Sequence, residues 1–354
     1  MKNINKKFFN RKEIPIDKFF SNVLYNKKYG YYSKNVAFGK SGDFITSPDI
    51  SFLFGEVIAI WVISYWEYLK KPKKINLIEL GPGNGQLSKV MIRTFKKFPK
   101  FFKCLNIFLY EKSQKLIKIQ KKLLVKENIK WIRNFNKIKK GPVIFFGNEF
   151  LDSLPVKQFE IKNNKIYERY IKLNKNIKIE YLLKKANKRI IEKLKKLQLL
   201  NKQTFIEYPK QGLDELNRIV KIVKKNNGGL LLIDYGFLEQ KSMSTIQSVK
   251  KHKKNKLYDN LGNADITSLV NFALLKKYFK KEKLLSSKIV TQAEFLKRLG
   301  IIDRANIISQ NMSFKEKTIL YYNLQRLLDS KYMGSLFKVI FAFKDKKKFS
   351  LGFN

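Results

Sequence analysis

The sequence has 354 residues, with 75 lysines and arginines against 28 acids for a net charge of +47, and one histidine and one cysteine. The lone Cys104 excludes an internal disulfide framework and any cysteine-built zinc site. The lone His252 excludes multi-histidine metal centres and leaves a Ser-His-Asp triad a single possible base, so hydrolase and metalloenzyme readings are poor and no metal is expected.

The 44% hydrophobic and 14% aromatic content suffices for a sizeable core, and the length fits roughly two domains. The basic excess is mostly lysine, is spread from Lys2 to Lys348 and travels with Ile, Asn and Phe, which reads as composition bias. Such charge speaks to solubility and non-specific association rather than to fold. A nucleic-acid partner is the competing reading, because lysine-rich surfaces neutralise phosphates and release counterions.

In chain order, residues 1–11 are basic but lead into no apolar h-region, so no secretory signal is expected. Their Lys/Asn character departs from the Arg- and Ser-rich pattern of organelle transit peptides. A cytoplasmic protein is the expectation, with the mitochondrial matrix second. A glycine-containing loop over 39–46 leads to a helix starting at Ser47-Pro48-Asp49, where Ser47 can cap and Pro48 suits the first helical position. The apolar run 50–66 is broken by Ser51, Gly55, Glu56 and Ser64 and falls short of the ~20 residues a bilayer needs. It predicts a buried helix, with no membrane insertion, and closes an N-terminal helical cap over 1–71.

Next comes Ile75-Asn-Leu-Ile-Glu79-Leu-Gly81-Pro-Gly83-Asn-Gly85, an apolar strand running into glycines at alternate positions and then a helix over 86–97. Glycines there let the backbone approach a ligand, and the helix start offers unpaired N–H groups. The spacing is not the GxGxxG dinucleotide fingerprint, and no Gly-Lys-Ser/Thr follows, which excludes a P-loop. A second strand, 105–110, ends in Glu111, ahead of a helix over 113–124. Strands follow at 129–132, at 142–147 and, after a helix over 213–225, at 230–233, ending in Asp234-Tyr235-Gly236. A last strand over 335–343 finishes the sheet. This alternation predicts a doubly wound, mostly parallel α/β sheet.

Between the fourth and fifth strands, residues 158–161 and 165–171 flank Asn163-Asn164 as a hairpin, and 184–199 is a basic helical stretch. The predicted organisation is therefore 1–71, then 72–155 as the first part of the sheet domain, 156–205 as an inserted hairpin and helix, and 206–354 as its remainder. Ligands of such sheets sit beyond the C-terminal strand ends. There the fourth strand runs into Asn148-Glu149-Phe150-Leu151-Asp152-Ser153-Leu154-Pro155. Carboxylates at 149 and 152 suit a cationic acceptor, since they can pair bidentately with a guanidinium and would repel a phosphate backbone. Asp234 and Tyr235 are weaker candidates for lining the pocket.

The Glu79-x-Gly81-x-Gly83-x-Gly85 turn with Glu111 closing the next strand resembles class I methyltransferases that bind S-adenosyl-L-methionine (SAM). More specifically, the chain resembles the MidA family of SAM-dependent methyltransferases, from about residue 29 to 338. The resemblance rests on residues 42–51, Phe54-Gly55-Glu56, residues 79–85 and 148–155, Tyr167-Glu168-Arg169, Asp234-Tyr235-Gly236, Thr245-Ile246-Gln247 with His252, Gly262-Asn263-Ala264-Asp265-Ile266-Thr267, and residues 333–338. This sequence departs from the family pattern in having Asn84 for Arg, Asp49 for Glu, Tyr167 for Trp and Ser244 for Asp.

The resemblance implies a protein arginine methyltransferase that symmetrically dimethylates an arginine on a respiratory complex I subunit and supports assembly of that complex. It implies SAM held by Glu79, Gly81, Gly83, Gly85 and Glu111, with Thr46 and Ser47 in a loop closing over it. Asn148, Glu149 and Asp152 are the expected acceptor-side residues. His252 could line the acceptor channel. A homodimer is possible. An RNA methyltransferase and a non-catalytic SAM-binding assembly chaperone are the alternatives.

Overall fold

The computed structural model describes residues 5–9, 12–34, 47–138, 140–174, 178–201, 203–239, 241–250, 252–344 and 349–354. The chain divides into two compact units, one of Met1–Phe44, Leu151–Leu216 and Leu238–Tyr278, the other of Ile45–Phe150, Asn217–Phe237 and Phe279–Asn354.

The second unit is built on a sheet whose strands include β1 (Ile75–Leu80), β2 (Leu105–Tyr110), β3 (Ile129–Ile132), β4 (Val143–Asn148), β5 (Gly228–Phe237), β6 (Leu285–Ser286), β7 (Val290–Thr291) and β8 (Phe337–Phe343). Their order is β6-β8-β5-β4-β1-β2-β3, with β7 also paired to β8. The pairs from β5 through β3 are parallel, and β8 runs antiparallel to β5. This is the doubly wound, mostly parallel α/β sheet expected, and the order reverses between β1 and β4. β1 is buried along its whole length, as a strand covered on both faces must be.

Helix α1 (Phe52–Tyr68) packs its apolar side into this core, where the Trp61 and Tyr65 rings each stand edge-on to Phe341 of β8 at 4.9 Å. Ser51 caps α1 by accepting the Leu53 N–H at 3.3 Å. Ser47, the residue expected to cap, instead begins the short helix Ser47–Ile50 one turn earlier. Gly55 of α1 is explained by helix packing: a Cβ there would lie 2.7 Å from Val90 on α2 (Gln86–Lys96). Beside it the buried Glu56 carboxylate accepts from Arg304 at 2.9 Å and Arg93 at 3.4 Å, so three helices meet on one acid.

The other unit has its own core, formed around Phe19, Phe20, Val23 and Leu24 of the helix Ile16–Tyr25, with Ile171 and Ile266. The expected hairpin is present as Lys157–Lys162 and Lys165–Leu173, joined by Asn163 and Asn164, both in the left-handed region that a tight two-residue turn requires. The N-terminal strand Glu13–Pro15 adds to its edge. A buried ion triad joins these pieces: Lys157 bonds Asp17 at 3.1 Å and also Glu168.

Element boundaries differ from expectation in several places. β5 continues to Phe237, so Asp234 and Tyr235 lie within the strand, because β8 keeps pairing as far as Tyr235 opposite Phe337. Lys184 and Lys185 end the strand Ile179–Lys185, and the basic helix is confined to Lys188–Lys196, capped by the Asn187 side chain on the Ile190 N–H at 2.9 Å. Ser335 and Leu336 belong to the short helix Met333–Leu336 that precedes β8.

The β4–β5 contact leaves no room for a side chain at Gly228, where a Cβ would sit 1.9 Å from the Val143 carbonyl oxygen. Gly228→Ala is therefore expected to cost several kcal/mol of stability, on the order of 3 or more, read as a lower midpoint in urea unfolding. An unchanged midpoint would show that the strands can part there freely.

Candidate active site

The site is built where the sheet order reverses, beyond the C-terminal ends of β1 and β4, the position at which open α/β sheets bind ligands. After Leu80 the chain must leave a fully buried strand and enter α2 within five residues. Gly81, Gly83 and Gly85 do this with φ of +63°, +55° and +87°, a region that residues with side chains enter only at a cost. The Gly85 N–H bonds the Pro82 carbonyl at 2.8 Å and closes the turn. A Cβ on Gly81 would press on the Phe150 ring at 3.3 Å.

Glu111 follows β2 and is buried, its Oε1 accepting the Ser113 N–H at 2.7 Å. Burial raises its pKa, opposed by the Ser113 and Gln120 hydrogen bonds and the nearby Lys112 charge. Ser113 also caps α3 (Gln114–Leu123), accepting the Leu116 N–H at 3.3 Å. From α3 the fully buried Gln120 reaches back to the glycine turn, donating to the Gly83 carbonyl at 2.8 Å and to Glu111 at 3.4 Å. Its other amide atom accepts from Trp131 Nε1 at 2.9 Å. Gln120, a glutamine in a basic helix, carries no motif signal in the sequence.

Glu79 is turned away from the turn, beneath α2, where the Ser88 hydroxyl donates to it beside an apolar recess lined by Leu77, Met91, Phe95 and Phe146. Burial pushes its carboxyl up to about 7, with the Ser88 bond pulling the other way. The structure thus ties Glu79 to the first turn of α2. Ser47 is buried and donates to Gln292 Oε1 at 3.2 Å, and Thr46 lies outside the described residues, as does the rest of the loop 39–46. The Asn84 side chain donates to Asp49 at 2.8 Å and accepts the Gln86 N–H at 3.1 Å, so two of the departures from the family pattern are partners of each other.

On the β4 side, Asn148 Nδ2 donates to Glu149 Oε1 at 2.9 Å, while its Oδ1 is buried without a hydrogen-bond partner among the described residues. Glu149 holds φ at +52° as its N–H bonds the Ile233 carbonyl at 2.9 Å. A non-glycine residue in that region carries strain of order 1 kcal/mol, a feature that clusters at functional sites. Asp152 lies three residues further along and belongs to the other unit, where its carbonyl accepts the Ser268 N–H at 3.0 Å. Asp234 is buried and accepts the Tyr235 N–H at 2.9 Å. His252 is exposed in a turn between the strands Gln247–Lys250 and Lys253–Asn255.

A backbone cradle of left-handed glycines with a buried acid beside it fits a nucleoside-bearing cofactor. Comparison with known proteins agrees. Residues 57–291 match the model of a family of S-adenosyl-L-methionine-dependent methyltransferases. Similar curated proteins are named "Protein arginine methyltransferase NDUFAF7, mitochondrial", among them those of Xenopus tropicalis (27% identical over 92% of this chain and 81% of the relative) and Homo sapiens (28%, over 92% and 78%). The Caenorhabditis elegans homologue is 30% identical over 84% of this chain and 75% of its own. A protein from Burkholderia thailandensis solved with S-adenosyl-homocysteine has the same fold, at TM-score 0.80 and 20% identity, covering 97% of this chain and 89% of that one.

The chain belongs to this methyltransferase family, as its MidA-like motifs imply, and it is an enzyme that uses SAM. The cytoplasmic expectation is corrected by the same findings, because the named relatives are mitochondrial proteins. It leaned on lysine standing where transit peptides carry arginine, and in a chain whose bases are mostly lysine that preference discriminates nothing. Among the described residues no cluster fit to hold a metal ion occurs, and no helix is long and apolar enough to cross a membrane.

Glu79 generates a pH test. Its folded carboxyl holds a proton up to about 7, whereas an unfolded one releases it near 4.5. The folded state therefore binds more protons between those values, and stability falls as pH rises through that window, by about 3 kcal/mol in all. Glu79→Gln should flatten the stability profile between pH 4.5 and 7 in urea titrations. A slope equal to that of the unmodified protein would show that Glu79 is ionised in its recess.

Proposed function

We propose that the enzyme is a protein arginine methyltransferase whose acceptor is an arginine on a subunit of respiratory complex I, dimethylated symmetrically in support of assembly, and that it works in the mitochondrion. The observation that carries the acceptor chemistry is the Asn148–Glu149 pair at the end of β4: a carboxylate held by a neighbouring amide, on strained backbone, beside an amide oxygen with no partner among the described residues. A guanidinium has donors for both groups, and its flat fork matches a carboxylate. The sequence resemblance supports a complex I subunit as substrate, and the names of the relatives support arginine as the acceptor and the mitochondrion as the location.

SAM, when bound, supplies an electrophilic methyl group on a good leaving group, so the protein needs position and local charge rather than a strong base. The left-handed glycines at 81, 83 and 85 let backbone approach the cofactor, and Glu111 would accept from its ribose hydroxyls. Glu149 would fix one guanidinium nitrogen in line and favour loss of its proton as the new bond forms. Asp152, further along the same loop, would be the second acid.

The test uses purified protein, labelled SAM and either isolated complex I subunits or total RNA. Label is expected on a protein arginine and is expected to vanish with Gly83→Val, since valine is excluded from φ of +55°. Label on RNA would overturn the acceptor assignment, and tight SAM binding without label on either would point to an assembly chaperone. Glu149→Gln should lower kcat by about 100-fold with SAM affinity unchanged. A variant that turns over normally would remove Glu149 from the acceptor site.

A further inference from the structure

Gln120 is fully buried, and its amide is satisfied in one orientation only. The Trp131 indole N–H can only donate, so it must face the amide oxygen of Gln120, at 2.9 Å. That leaves the NH2 group facing the Gly83 carbonyl at 2.8 Å and Glu111 Oε2 at 3.4 Å, both of them acceptors while Glu111 is ionised. A flipped amide would put oxygen against two acceptors and NH2 against a donor. Trp131 thereby sets the orientation through which Gln120 acts on both the turn and the acid.

The two effects concern the same ligand face. With its carbonyl drawn to Gln120, the trans peptide after Gly83 directs the Asn84 N–H the opposite way. With Oε2 held by Gln120 and Oε1 by the Ser113 N–H, Glu111 keeps one rotation, and its remaining lone pairs keep one direction. We infer that the Trp131–Gln120 pair is a positioning device that aims Glu111 and the Gly83–Asn84 peptide at the nucleoside of the cofactor, and so sets how strongly the enzyme recognises ribose hydroxyls. Neither side chain touches the cofactor in this role. The inference rests on the proposed part of Glu111 in holding ribose.

The test compares the affinity of the full chain for S-adenosyl-homocysteine with that for its 2′,3′-dideoxy analogue, by calorimetry. The unmodified protein should prefer the hydroxylated ligand by on the order of 10-fold or more, as expected for hydrogen bonds to a charged acceptor. Gln120→Leu and Trp131→Phe should each shrink that ratio, with the loss falling on the hydroxylated ligand and little change for the dideoxy one. A merely structural role would weaken both ligands alike and leave the ratio intact. Trp131→Phe keeps an aromatic ring in place while removing the donor, so it carries the test if Gln120→Leu does not fold. Full discrimination in Trp131→Phe would overturn the inference and leave Glu111 as the ribose acid. No discrimination in the unmodified protein would overturn the Glu111 assignment itself.

Discussion

The Gly83 carbonyl is a polar group at the rim of a core that offers it no sheet partner, and Gln120 holds it at 2.8 Å. β1 is buried on both faces, so its backbone groups pair with β2 and β4 up to Leu80, and one further bond, from the Gly81 N–H to the Tyr110 carbonyl at 3.0 Å, ends the ladder. The turn into α2 must then satisfy its own carbonyls and still leave backbone free for a ligand. Left-handed glycines solve the geometry, and a side chain from α3 solves the hydrogen bonding. Glu111, Trp131 and the start of α3 are arranged about that same amide. Moving any one of them disturbs the bond from Gln120 to that carbonyl.

The distribution of acids follows from a second constraint. Against 75 basic residues there are 28 acids, and among the described residues several of those acids are buried, including Asp17, Glu56, Glu79, Glu111 and Glu168. Each has a local reason: Glu56 joins three helices through two arginines, Asp17 and Glu168 share Lys157, and Glu79 takes the Ser88 hydroxyl. Buried acids paired with arginine or lysine neutralise those bases and leave the exposed lysines uncompensated. This favours reading the lysine surplus as the cost of solubility in a biased composition, with specificity assigned to a few acids near the sheet edge.

Much of the fold was legible because buried parallel strands are short apolar runs punctuated by glycine, and β1, β2 and β3 fall where that pattern places them. What escaped was fixed by tertiary contact. β5 reads as ending at Ile233, yet β8 pairs with it to Tyr235. Ser47 has the capping residue type, but Ser51 takes the Leu53 N–H because a turn of helix at 47–50 intervenes. In the candidate site, the glycines, Glu111 and Asn148-Glu149 stand out in the sequence, since backbone conformation and charge leave a trace in residue type. Gln120 and Trp131 left none: their value lies in being eleven residues apart and hydrogen-bonded across two elements.

The Asn84–Asp49 bond shows how such pairs can also be recovered from a sequence. Taken singly, a missing arginine beside the glycine turn and a shortened acid in the preceding helix look like two losses. Their 2.8 Å contact makes them one local unit, a short amide–carboxylate bond. The bond joins the helix Ser47–Ile50 to the glycine turn. Because Asn84 also accepts the Gln86 N–H at 3.1 Å, the shorter side chain serves the start of α2 at the same time, which a guanidinium, having no acceptor, could not do.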